Sequence, residues 1–156
     1  MSWPAKMTVA ILLAVPAWAQ QGHEPRPTAQ NITNAFDGRR LLEIVADKDS
    51  RFKIPGGDHA PLLLVAGEAV TLRITAMQAK QVDREGSVHG FVLIDKKGNR
   101  VPGWNLQLKA GTQDYQLVVP PSPGDYEVVC NVICSADHEH MRLKVKVLPS
   151  QRSGEE

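Results

Sequence analysis

Two stretches of this chain alternate apolar and polar residues without a fault. One is Val70-Thr71-Leu72-Arg73-Ile74-Thr75-Ala76; the other is Met141-Arg142-Leu143-Lys144-Val145-Lys146-Val147. Successive side chains of a strand point to opposite faces, so a period of two predicts strands with one buried and one wet face. Residues 41–46, 62–65, 88–94, 115–119 and 125–130 are further strand candidates. Asp95-Lys96-Lys97-Gly98-Asn99 and Pro121-Ser122-Pro123-Gly124 separate them as turns. No strong helical stripe and no internal repeat is present. Residues 77–86 read as a polar connection with at most a helical turn. About seven short strands in one domain of this size predict an all-β Greek-key β-sandwich. Hydrophobic residues at 42% can fill its core, while aromatics at 5% leave little for a base- or sugar-stacking surface.

Residues 1–19 read as a secretory signal. Lys6 precedes an apolar run from Met7 to Val15, and Ala17-Trp18-Ala19 has the small-x-small cleavage pattern. The run is shorter than the roughly 20 residues a spanning helix needs, so membrane association is expected only if the signal stays uncleaved. Residues 20–38 are expected to be a flexible lead-in, 39–149 the folded domain and 150–156 a loose tail. Loss of Lys6 with the signal would equalise a balance of 18 basic and 17 acidic side chains. No basic stripe appears, which argues against nucleic acid as a partner. An exported chain is expected in the periplasm or outside the cell, where two cysteines are ordinarily read as a disulfide.

That reading leaves other residues unexplained. Cys130-Asn131-Val132-Ile133-Cys134-Ser135-Ala136-Asp137-His138-Glu139-His140-Met141 holds both cysteines, two of five histidines and one of four methionines. It lies between two strand candidates, so it is a loop that can wrap donors around a point. Thiolate, imidazole and thioether make a soft set that suits copper; zinc seldom uses thioether. A further ligand has to come from elsewhere. Of His23, His59, His89 and His140, His89 is favoured because it begins a strand in Val88-His89-Gly90-Phe91. Beside it, Gly90 lets another backbone approach.

Cys130-x3-Cys134-x3-His138-x2-Met141, preceded some forty residues earlier by Val88-His89-Gly90-Phe91, resembles the dinuclear copper A domain. That domain occurs in subunit II of cytochrome c oxidase and in nitrous oxide reductase. The resemblance covers roughly residues 67–148 and implies a cupredoxin-like sandwich. It also implies two copper ions bridged by Cys130 and Cys134. His89 and Met141 would complete one copper; His138 and the backbone carbonyl of Val132 would complete the other. The implied task is one-electron transfer with a redox protein such as a c-type cytochrome or a terminal oxidase or reductase. No catalysis is expected of the isolated chain, which could serve as a subunit of an oxidase-like complex. The chain departs from the pattern in places. Val132 stands where oxidases commonly carry an acidic or amide residue near magnesium, and Ser135 where glycine is common. Trp104 is the nearest candidate for an aromatic electron-entry patch. Three other readings stay open. One is a mononuclear blue-copper site of His89, Cys134, His138 and Met141. Another is a Cu(I) carrier or assembly factor using the same donors. The third is a plain Cys130–Cys134 disulfide.

Overall fold

The computed structural model describes residues 32–33, 38–57 and 60–150. The expected signal, most of the lead-in, His23, His59 and nearly all of the tail lie outside them. Ten strands follow in order: β1 Ile32–Thr33, β2 Arg40–Ala46, β3 Phe52–Lys53, β4 Leu62–Val65 and β5 Ala69–Ala76, then β6 His89–Asp95, β7 Arg100–Leu108, β8 Gly111–Val118, β9 Gly124–Val129 and β10 Arg142–Leu148. A 3-10 turn at His138–His140 is the one helical element among the described residues.

The strands form two sheets, ordered β1-β2-β5-β8, with β3 on β2, and β4-β10-β9-β6-β7. The pairs β2–β5 and β10–β4 are parallel; the others are antiparallel. The chain crosses between the sheets after β3, β4, β5, β7 and β8, while β6–β7 and β9–β10 are antiparallel neighbours. This is the all-β, cupredoxin-like Greek-key sandwich expected from the sequence.

The alternation settles which faces meet. In β10, Leu143, Val145 and Val147 are buried while the intervening Arg142, Lys144 and Lys146 are exposed. In β5, Val70, Leu72 and Ile74 are buried. Between the sheets, Phe52 and Phe91 meet edge to face with ring centres 5.3 Å apart.

Residues 77–86 are the expected connection, without a helical turn. One sequence reading needs correction. Trp104 is no surface aromatic. It is 1% exposed, and its indole N–H donates to the Val118 carbonyl at 2.8 Å. The polar handle of the ring is satisfied across the sandwich, so the side chain serves the core.

Candidate metal centre

Three strand ends meet at one end of the second sheet. His89 opens β6, Cys130 follows β9, and Met141 precedes β10. The β9–β10 register pairs Val129 with Arg142; one step further brings Cys130 beside Met141, whose carbonyl accepts the Cys130 N–H at 3.2 Å. The β6–β9 register pairs Val92 with Val129 and, continued, sets Gly90 opposite Asn131. The period of two then does the rest. His89 follows the inward set with Phe91 and Leu93, Cys130 that of Val128, and Met141 that of Leu143.

Gly90 is required by this packing. A Cβ there would stand 1.8 Å from Asn131 Oδ1 and 3.0 Å from the Asn131 backbone nitrogen. Its own N–H donates to Cys130 Sγ at 3.3 Å. The close approach thus carries the loop over the strand and aims a backbone donor at sulfur.

His89, Cys130 and Cys134 present donor atoms that all lie within 4.8 Å of one another. The two sulfurs are 3.9 Å apart, and both cysteines are free thiols. All three residues are buried, and neither ring nitrogen of His89 has a hydrogen-bond partner. A buried imidazole without partners costs free energy unless something else engages it. Soft donors converging on an orphaned imidazole fit a soft metal ion.

The electrostatics match a site built for neutral ligands until a cation arrives. Burial holds His89 below its usual pKa; the Met77 backbone, which faces the ring outside hydrogen-bonding geometry, and the Asp47 charge oppose that without overcoming it. Burial, followed by the charge and hydrogen bond of Cys130, pushes the Cys134 thiol up to about 11; the Ser50 hydroxyl pulls the other way. Asp47 is itself buried. Burial pushes its carboxyl up, but hydrogen bonds from Lys53, Arg51 and Asp49 outweigh that and leave it below its ordinary range.

Two of the other expected ligands, Val132 and Met141, lie next to Cys130. The Val132 carbonyl stands 3.3 Å from Cys130 Sγ, and the Val132 side chain is buried. Met141 is fully buried in the same core cluster as both cysteines. His138 is half-buried and not a member of the three-residue cluster. Its Nδ1 lies 3.1 Å from the Ser135 carbonyl. A neutral ring donating there keeps its lone pair on Nε2. His140 is exposed.

Sequence reasoning missed Ser50. It lies in the turn between β2 and β3, is buried, and reaches both Ser135 and Cys134. Nothing in Asp47-Lys48-Asp49-Ser50 except turn-forming residues marks it, because its role depends on a loop eighty residues away.

No family model and no curated protein matches the chain. Among solved structures it is similar to a chain of a heme-copper terminal oxidase dimer, at 20% identity over 80% of this chain and 75% of that one, with a TM-score of 0.49. It is also similar to auracyanin A, a "blue" copper protein from the green thermophilic photosynthetic bacterium Chloroflexus aurantiacus, at 20% identity over 71% of this chain and 100% of that one, with a TM-score of 0.46. Reduced rusticyanin follows at 18% identity over 70% and 79%, with a TM-score of 0.44.

Proposed function

We propose that this chain is an exported, copper-binding electron carrier whose centre is dinuclear and of the copper A type. One observation carries the reading: two free, buried thiols 3.9 Å apart beside an imidazole whose nitrogens lack partners. Both cysteines belong to that group, which favours shared thiolates over a mononuclear site that would use Cys134 alone.

In this reading Cys130 and Cys134 would be held in common by two copper ions, with His89 and Met141 as further ligands of one, and His138 and the Val132 carbonyl as further ligands of the other. Bound copper supplies one-electron exchange. The protein supplies a shell that keeps the donors in place. The second sheet fixes His89, Cys130 and Met141 at strand ends, and burial excludes water. The Gly90 N–H supports one thiolate, and the Ser135 carbonyl holds the His138 ring so that Nε2 is its free donor. With all donors from the protein, no position is reserved for a substrate, so the isolated chain transfers electrons without catalysis of its own. The partner is a redox protein: a c-type cytochrome, or a terminal oxidase or reductase. The compartment is the periplasm, where reduction of any Cys130–Cys134 disulfide precedes loading.

The test is copper stoichiometry with paramagnetic resonance on the reconstituted domain. Two ions and a spectrum delocalised over both are expected. One ion with four hyperfine lines would establish a mononuclear site, and colourless, silent Cu(I) protein a carrier; either overturns the proposal. Cys134→Ser is expected to abolish the centre, and Met141→Leu to keep it with an altered potential. Equal copper loss in both variants contradicts the ligand ranking.

A further inference from the structure

Ser50 is the sole residue other than glycine at positive φ among the described residues, at 56°. A serine in that region is strained relative to an ordinary conformation. It is nevertheless held there firmly. The Asp47 carboxylate accepts the N–H of Asp49 at 2.9 Å and of Arg51 at 3.0 Å, and the Asp47 N–H donates to the Arg51 carbonyl at 2.9 Å. Lys53 pairs with the other carboxylate oxygen. These bonds clamp the turn and press the Ser50 side chain inward, where it is 4% exposed.

Its hydroxyl ends a chain of three polar contacts. The Asp137 N–H can only donate, and it donates to Ser135 Oγ at 3.1 Å. Ser135 Oγ lies 2.5 Å from Ser50 Oγ. Ser50 Oγ lies 4.0 Å from Cys134 Sγ, the long end of hydroxyl–sulfur hydrogen bonding. A metal-bound Cys134 thiolate carries no proton and can only accept, so the Ser50 hydroxyl is the donor on that link, which leaves Ser50 Oγ to accept from Ser135, whose oxygen in turn accepts the Asp137 amide. Each link polarises the next.

We propose that Asp137 N–H, Ser135 and Ser50 form a directional hydroxyl relay onto Cys134, in which Ser50 is a positioning residue that tunes the electron affinity of the thiolate-bound metal. The inference rests on the metal-centre reading above. A donor aimed at sulfur stabilises the electron-rich, reduced state more than the oxidised one, because the sulfur carries more negative charge when the metal is reduced. The backbone strain at position 50 is the means by which the hydroxyl is presented. Ser135, where the resembled family commonly has glycine, supplies the orienting link. On the other thiolate, the Gly90 N–H plays the same part without a side chain.

The experiment compares copper-loaded wild type, Ser50→Ala, Ser50→Gly and Ser135→Ala. Reduction potential, sulfur-to-copper charge-transfer band, copper count and melting of the metal-free protein are measured. All four are expected to bind the wild-type number of ions. Ser50→Ala and Ser50→Gly should move together: an equilibrium constant for reduction about tenfold lower, and a charge-transfer band at longer wavelength. Their stabilities should part, since glycine relieves the positive-φ strain and alanine does not; a purely structural role would make potential follow stability. Ser135→Ala should shift the potential the same way by less. Wild-type potential and band in both Ser50 variants would overturn the relay. Wild type that takes up no copper would overturn the metal centre and the relay with it.

Discussion

Replacing Gly90 with alanine tests the packing that assembles the centre. The added Cβ would meet Asn131 at Oδ1 (1.8 Å), Cγ (2.9 Å) and the backbone nitrogen (3.0 Å). The first two contacts can be relieved, since Asn131 is exposed and its side chain can swing into solvent. The third cannot, because that nitrogen belongs to the residue after Cys130 and must move with the loop. Overpacking of this kind costs about 1–3 kcal/mol. Tilting the Gly90 N–H away from Cys130 Sγ adds about 1 kcal/mol. A total near 3 kcal/mol corresponds to a drop in Tm of about 10 °C for a domain of this size. Thermal unfolding of the metal-free, reduced protein measures it. Pairing the change with Asn131→Ala should recover part of the loss, through the side-chain contacts, and leave the backbone part. A Gly90→Ala protein that melts with the wild type would refute the close approach. So would complete recovery in the double variant, which would show that the side chain alone was in the way.

His89→Leu is expected to leave the metal-free fold as stable as wild type, or up to about 2 kcal/mol more so, because two buried polar atoms without partners are removed; chemical denaturation checks this, and metal uptake should be lost. Acid titration of the metal-free protein should show stability falling below about pH 6.5. There the unfolded chain protonates His89 while the folded chain, with its depressed pKa, stays neutral; the loss deepens by up to about 1.4 kcal/mol per pH unit until the folded pKa is reached. A second acid loss, below about pH 4, is expected as Asp47, also depressed in the fold, takes up its proton; Asp47→Asn should remove that limb. On the alkaline side the folded Cys134 keeps its proton to about 11, so stability should decline from about pH 9 as the unfolded thiol ionises. Alkylation of Cys134 near neutral pH should accordingly be on the order of 100-fold slower than that of a free cysteine, measured by mass spectrometry, and a normal rate would contradict the assignment.

Much of the architecture could be read along the chain because burial on a sheet is a property of every second residue. The alternation in Val70–Ala76 and Met141–Val147 identified strands and their inner faces, and it is the same alternation that buries Met141 beside Cys130. Strand β7 was not legible. It was not among the strand candidates; it contains Pro102 and Gly103, and it lies at a sheet edge, where a missing N–H is tolerated. The register with β6 also shifts there, with Gly103 at φ 80°. The short β3 was missed because two residues carry no period.

The candidate donors Cys130, Cys134, His138 and Met141, with His89 as the favoured distant ligand, could be named from the sequence, since ligand chemistry belongs to residue types and a loop's spacing is local. Three matters were decided only in three dimensions. Both thiols and the His89 ring meet with their polar atoms shielded, because strand pairing brings together segments forty residues apart. Trp104 turned inward because the Val118 carbonyl lay within reach. Ser50 joined the centre because a clamped turn of the other sheet closes over the cysteine loop. A sequence determines which atoms can bind; only packing of the two sheets determines which of them are left without water and without one another.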